Sequence, residues 1–360
     1  MTATRLNSFL LALALAGTGA AAIGADAPAV AVSASAAVSA PGLLPDLNAD
    51  DYFQGKTPGT FGKDMSAVLL PLTKRVAIVG FTVVFVTENS ASAQVRGSYL
   101  PGRETTGAHA SINVKLQGVD DATLQAVTDK AYNNFVAQLK AAGREVLTPD
   151  QVAPLYSKLE LTESTPAARY KKDVDGHVGI AYTPTGMPLW WWTMADRFGN
   201  LGPFSQKNMR AVPSFSVEQD AIAIAPVIPV DFAKMESSGN HSGLVANEAS
   251  VGAQLRMAVG GMGITMVRAT EARGGGLMSK GEEGWLRMKK AVVAENSDFA
   301  TMEQAEESKT SGFMALMTGS SKSKKMMTAT TDNARYGAVA TDVLGQATGA
   351  LAKFFQQHSP

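Results

Sequence analysis

The stretch Asp120-Asp-Ala-Thr-Leu-Gln-Ala-Val-Thr-Asp-Lys-Ala-Tyr-Asn-Asn-Phe-Val-Ala-Gln-Leu-Lys-Ala-Ala-Gly143-Arg-Glu-Val-Leu-Thr148 decides how the chain is read. Asp120 or Asp121 can cap a helix. Leu124, Val127, Ala131, Phe135 and Leu139 recur at three- and four-residue steps and therefore share one face. Gly143 suits the left-handed residue that stops such a helix, and Arg144 to Thr148 reads as a short strand. Upstream, Ala110-Ser-Ile-Asn-Val-Lys-Leu116 alternates apolar and polar side chains as a half-buried strand does. Further upstream, Lys74 to Thr87 is so dense in β-branched and aromatic residues that it predicts a central strand covered on both faces. Strand, helix, glycine, strand is the pattern of an α/β layer.

Downstream, residues 155–215 show no sustained period and include Pro184, Pro188 and Pro203, so they read as a long irregular insert. Ala221 to Phe232 and Ala249 to Ala269 read as an antiparallel hairpin around the turn Ser237 to Gly243, with Pro226 and Pro229 pushing the first strand toward a sheet edge or a bend. Trp285 to Val293 supplies one more strand, and Asp298 to Lys325 reads as mixed helix and low-complexity loop. Asn333 to Gln356 repeats the amphipathic signal, with Tyr336, Val339, Val343, Leu344, Ala347, Leu351 and Phe354 or Phe355 on one face. The predicted fold is α+β: a mixed, mostly antiparallel sheet with two amphipathic helices packed on it.

The beginning of the chain predicts export. Arg5, the apolar run Phe9 to Ala16 and the small residues leading to Ala25-Asp26-Ala27 follow the order of a cleavable secretory signal, with the cut after Ala27 or, second, after Ala22. The run is far shorter than the roughly 20 apolar residues that span a bilayer. Residues 28–65, rich in Ala, Ser, Pro and Gly, read as a linker, or else as an arm anchored through Leu43, Leu44, Tyr52 and Phe53. The α/β domain is expected over 66–297, with its irregular part at 155–215, and a C-terminal segment over 298–360 whose helix packs back on the sheet. Lys plus Arg and Asp plus Glu both total 32, and without a basic stripe the chain lacks the footprint of a nucleic-acid binder. There is no cysteine, so stability must come from the core alone.

Motifs for chemistry are absent or incomplete. His109, His177, His241 and His358 have no metal-ligand spacing, and no metal or cofactor is expected. Val76-Ala-Ile-Val-Gly80 continues into Phe81 where a dinucleotide fold needs a glycine turn. Gly55-Lys56-Thr57 follows no strand, and its leading position is Asp50. Gly260-Gly-Met-Gly263 reads as a bulge or a close contact within β structure. Ser321 and Lys324 have an acyl-transfer spacing inside a Ser/Lys-rich run that reads as solvated loop. No residue is assigned as catalytic. The binding candidates are Trp190, Trp191 and Trp192, adjacent indoles that fit either a satellite core or a contact with a protein partner, a sugar or a membrane interface.

Lys74-Arg-Val-Ala-Ile-Val-Gly-Phe81, followed by Thr123 to Leu147 with its helix ending in Leu-x-x-x-Gly, resembles the opening of the CsgG / TolB N-terminal / LpoB-like group of bacterial envelope proteins. The resemblance covers about a fifth of the chain and is a structural pattern. It implies a small α/β sandwich acting as an envelope scaffold, with no catalytic residue to carry over. The expected function is thus that of a non-catalytic exported protein, periplasmic or at the cell surface, that binds or scaffolds envelope components. The alternatives are a periplasmic hydrolase or small-ligand-binding enzyme with a site assembled from scattered residues, and a self-assembling surface subunit whose hairpin edge makes homo-oligomer contacts.

Overall fold

The computed structural model describes residues 47–56, 69–95, 99–100, 103–104, 107–159, 161, 167–172, 177–189, 206–241, 247–271, 280–295, 298–309 and 320–360. In chain order the elements are β1 (Phe53–Lys56), β2 (Arg75–Ile78), β3 (Thr82–Val95), β4 (Tyr99–Leu100), β5 (Arg103–Glu104), β6 (Gly107–Gln117), α1 (Asp121–Ala141), β7 (Glu145–Val146), α2 (Pro149–Lys158), β8 (Ala167–Lys172), β9 (His177–Tyr182), α3 (Gln206–Gln219), β10 (Ile222–His241), β11 (Asn247–Val259), β12 (Gly263–Glu271), β13 (Lys280–Met288), β14 (Val292–Val293), β15 (Ala300–Lys309), β16 (Ser320–Thr331) and α4 (Asn333–Gln357). All the strands except the β4–β5 pair join one mixed sheet, whose main path runs β1-β13-β12-β10-β3-β6-β16-β15. Most of its pairings are antiparallel, so the predicted α+β layered fold is the one the chain adopts.

β10 is the axis of that sheet, which corrects the expectation of an edge. Its first half pairs with β2 on one side and β12 on the other; its second half pairs with β3 and β11. Both prolines fall where a ladder changes partner. The Val79 N–H donates to the Ile224 carbonyl, so the even residues of β10 turn their backbone groups toward β2 and β3. Pro226, without an N–H, therefore faces the break between Ile78 and Thr82, where no donor is needed. Pro229 faces the opposite side, between the last β12 pair, Val227 with Gly263, and the first β11 pair, Val230 with Val259. A central strand thus tolerates two prolines because each sits opposite a gap.

The two faces of the sheet are covered unequally. Ile222, Ile224, Ile228, Val230 and Phe232 join the main core with the apolar stripes of α1 and α4. These two helices start side by side. Asp120 caps α1 at the Thr123 N–H (2.8 Å), Asp332 caps α4 at the Arg335 N–H (2.9 Å), and Asn333 donates from Nδ2 to Asp120 (2.7 Å). Farther along, Gln138 Nε2 donates to the Gly345 carbonyl (3.0 Å), and a Cβ at Gly349 would lie 3.2 Å from that nitrogen. On the opposite face α2 and α3 cover, among the described sheet residues, Ala77, Val79, Ala221, Ala223, Ala225 and Val267.

Several local expectations need correction. The strand read over Lys74 to Thr87 is interrupted between β2 and β3, where Val79 to Phe81 cross the ladder break. The insert read as irregular over 155–215 holds the end of α2, the β8–β9 hairpin and most of α3; Pro154 and Pro213 inside the two helices hid their period. Residues 300–309 and 320–331 are strands, not helix and loop; β15 is almost wholly exposed and carries no apolar alternation to read. Within the stretch read as linker, β1 pairs with β13 and Phe53 is buried, so the anchored-arm alternative describes residues 53–56.

Arg144 ties the C-terminal end of the fold to its start. Its buried guanidinium donates to the carbonyls of Leu70, Thr73, Phe355 and His358, at 2.6–3.3 Å, and lies 5.6 Å from the Phe355 ring centroid. Burial pulls its pKa down to about 10.

Candidate functional site

Beyond Ala225 the second face of β10 loses its helix cover. The next residues on that face, Val227, Pro229 and Asp231, line a cleft of about 520 Å³ with Val84 and Val86 of β3 and Ala258 of β11. The opening follows from the ladder changes: at Pro229 β10 exchanges β12 for β11, and Gly260-Gly261-Met262 connects those two strands. Gly261 has φ +69°, a conformation that favours glycine, and a Cβ at Gly260 would come within 3.3 Å of Ala291 Cβ. Across the cleft Gly179 of β9 lies so close to β3 that a Cβ would stand 2.9 Å from the Phe85 carbonyl oxygen.

Asp231 sits where β10 parts from β3 and where a bulge breaks its pairing with β11: Phe232 alone opposes Arg256 and Met257. Side chains replace the interrupted ladder. Asp231 Oδ1 accepts from the Ala233 N–H (3.1 Å) and from Asn89 Nδ2 (2.6 Å), and Asn89 Nδ2 also donates to the Ala233 carbonyl (3.2 Å). Burial holds the Asp231 carboxyl above the usual carboxylate range, against the pull of those hydrogen bonds and of nearby His177. His177 lines the same cleft, and its buried Nδ1 makes no hydrogen bond among the described residues.

Cations predominate around this acid. Lys234 lines the cleft but is engaged by Glu236 at 2.8 Å. Arg287 lines it from β13 and is exposed; Arg256 lines it from β11 and is half-buried. Among the described residues neither arginine has an ion pair. The cleft lining has, among the described residues, no hydroxyl or thiol. A second, polar trough of about 730 Å³ shares His177 and Met235 with the first and is lined by Ser92, Ser111, Asn113 and Lys324 among others.

The sequence did not single out this constellation. Asp231, His177, Arg256 and Arg287 come from four strands and meet only because their ladders end together. Two signals pointed to the place: a lone carboxylate in the apolar run Ala221 to Phe232, and the glycines at 260–263. Trp190, Trp191 and Trp192 lie outside the described residues. Ser321 and Lys324 are three residues apart on a strand and project to opposite faces, so they do not form an acyl-transfer pair. His358 approaches Asp50 at 2.9 Å, far along the sequence from the cleft residues. Among the described residues no three His, Asp or Glu side chains assemble as a metal cage, and no helix is long and apolar enough to cross a membrane. No family model, curated protein or solved structure matches the chain.

Proposed function

We propose that this chain is a non-catalytic, exported protein of the cell envelope or cell surface that binds another component through the cleft beside Asp231. The observation that carries the binding half is an open, mainly apolar sheet face bordered by two arginines that have no ion pair among the described residues. Such a face has the composition of a recognition site: an apolar floor for contact and a few polar groups for orientation. The export half rests on the signal-like order of residues 5–28 and on the resemblance to envelope scaffolds. Trp190, Trp191 and Trp192 add a second candidate contact.

One observation favours an enzyme as the second reading: a carboxyl raised by burial and an imidazole face the same cleft, a pairing suited to proton transfer. Self-assembly through the β10–β11 hairpin has less support, because β10 is central. The exposed edge strand β15 carries Glu303, Glu306 and Glu307 and a bulge, features that discourage pairing with another copy.

The test is a thermal-shift screen of acids, amines, sugars and nucleotides on the mature chain and on Ala258→Phe, which fills the cleft floor. Stabilisation of the wild type that Ala258→Phe abolishes supports binding. No stabilisation by any class overturns it, and turnover that His177→Ala removes replaces it with the enzyme reading. Cell fractionation with an N-terminal cleavage assay tests export: an uncut chain in the cytosol rules it out.

A further inference from the structure

We infer that the occupant of the cleft is an amphiphilic organic anion, an acidic head on an apolar body, with the head held by Arg256 and the body lying over Val84, Val86, Val227 and Pro229. This inference rests on the binding reading above and specifies its ligand class. The head group follows from charge. Arg256 is half-buried, with no ion pair or hydrogen bond among the described residues, and a guanidinium withdrawn from water without an anion is costly until one arrives. Its planar fork matches a carboxylate or phosphate in two-pronged fashion. Arg287 adds a second positive charge to the same lining.

The one acid in that lining among the described residues, Asp231, is poorly placed to reverse the preference. Asp231 already spends one oxygen on the Asn89 amide and the Ala233 N–H. A cationic ligand would have to share it while facing two guanidinium groups.

The apolar body follows from the floor. Val84, Val86, Val227, Pro229 and Ala258 offer contact area and no side-chain donor, so a bare inorganic anion would leave that surface wet. A volume of about 520 Å³ falls in the range that encloses a small organic molecule. The concave, strand-built walls fit a free monomeric ligand, not a planar membrane surface.

The experiment uses the full mature chain, with decanoate as the probe, measured by isothermal titration. Decylamine carries the same tail with the opposite charge, and inorganic phosphate carries charge without a tail. Decanoate is expected to bind at least tenfold tighter than either. Arg256→Gln is expected to weaken decanoate binding at least tenfold with an unchanged melting temperature, whereas Arg335→Gln, on the exposed face of α4, leaves it unaltered.

Equal binding of decylamine, or full decanoate affinity in Arg256→Gln, overturns the inference. Vesicles containing phosphatidylglycerol test the other source of the same chemistry: binding that requires the vesicle and is absent with free decanoate also overturns it. The Ala258→Phe screen separates the two levels of failure. If decanoate fails but another compound binds in a manner lost in Ala258→Phe, the ligand class is wrong and the binding reading stands. If nothing responds to Ala258→Phe, both fall.

Discussion

Along one face of β10, Ala221, Ala223 and Ala225 lie beneath α2 and α3, while Val227, Pro229 and Asp231, the next residues on that face, line an open cleft. The same strand, with the same alternation, is core over its first half and site over its second. Small side chains let a helix layer come close in the first half. In the second, changes of ladder partner and a bulge leave no flat surface for a helix to cover. An open cleft is thus produced here where the second helix layer stops partway along a strand.

Substitutions in the two halves of β10 and around it should have distinct effects. Ile224→Ala empties a site packed from the α1–α4 side and is expected to cost about 2–5 kcal/mol in chemical denaturation, the usual range for a buried large-to-small change. Arg144→Met should cost about 2–3 kcal/mol by the same measurement, because four backbone carbonyls lose their charged donor.

In the open half, Asp231→Ala should cost about 1–3 kcal/mol by leaving the Ala233 N–H and an Asn89 proton without an acceptor, whereas Asp231→Asn keeps an acceptor oxygen. The two also differ from wild type in pH dependence. The Asp231 carboxyl is raised in the folded state, so its contribution is fully present below the unfolded value near 3.8 and is lost as pH rises through the folded value. Asp231→Asn should therefore lack that loss, which a pH series of denaturation curves would reveal. Val227→Ala, on the uncovered floor, should change stability by less than about 1 kcal/mol while weakening decanoate binding. A loss as large as that of Ile224→Ala would mean that the second half is packed like the first.

What the sequence made legible follows the same division. α1 and α4 announce themselves because each must bury a continuous stripe, and the Gly143 stop has the expected positive φ of 82°. β15 escaped notice because an exposed edge strand has no need of alternating apolar residues, and β16, paired on both sides, because its first half is the Ser/Lys-rich run that reads as solvated loop. The cleft was illegible because its chemistry depends on which ladders end beside one another, a property of pairing between distant segments. His177, Asp231 and Arg256 each look ordinary in their own neighbourhood. Pro226 and Pro229 were read correctly as disturbances; of the two placements left open, an edge or a bend, the edge is ruled out, since a gap in the middle of a sheet accommodates prolines as well as a free margin does.

Helix α4 (Asn333–Gln357) lies far along the sequence from β1 (Phe53–Lys56), yet its Tyr336, Val343, Leu344, Leu351, Phe354 and Phe355 belong to the same main core as Phe53. The sheet face that these side chains cover cannot shut out water until that distant helix has docked. A truncation within α4 should therefore yield an expanded, protease-sensitive product in place of a slightly weakened one, which limited proteolysis would reveal.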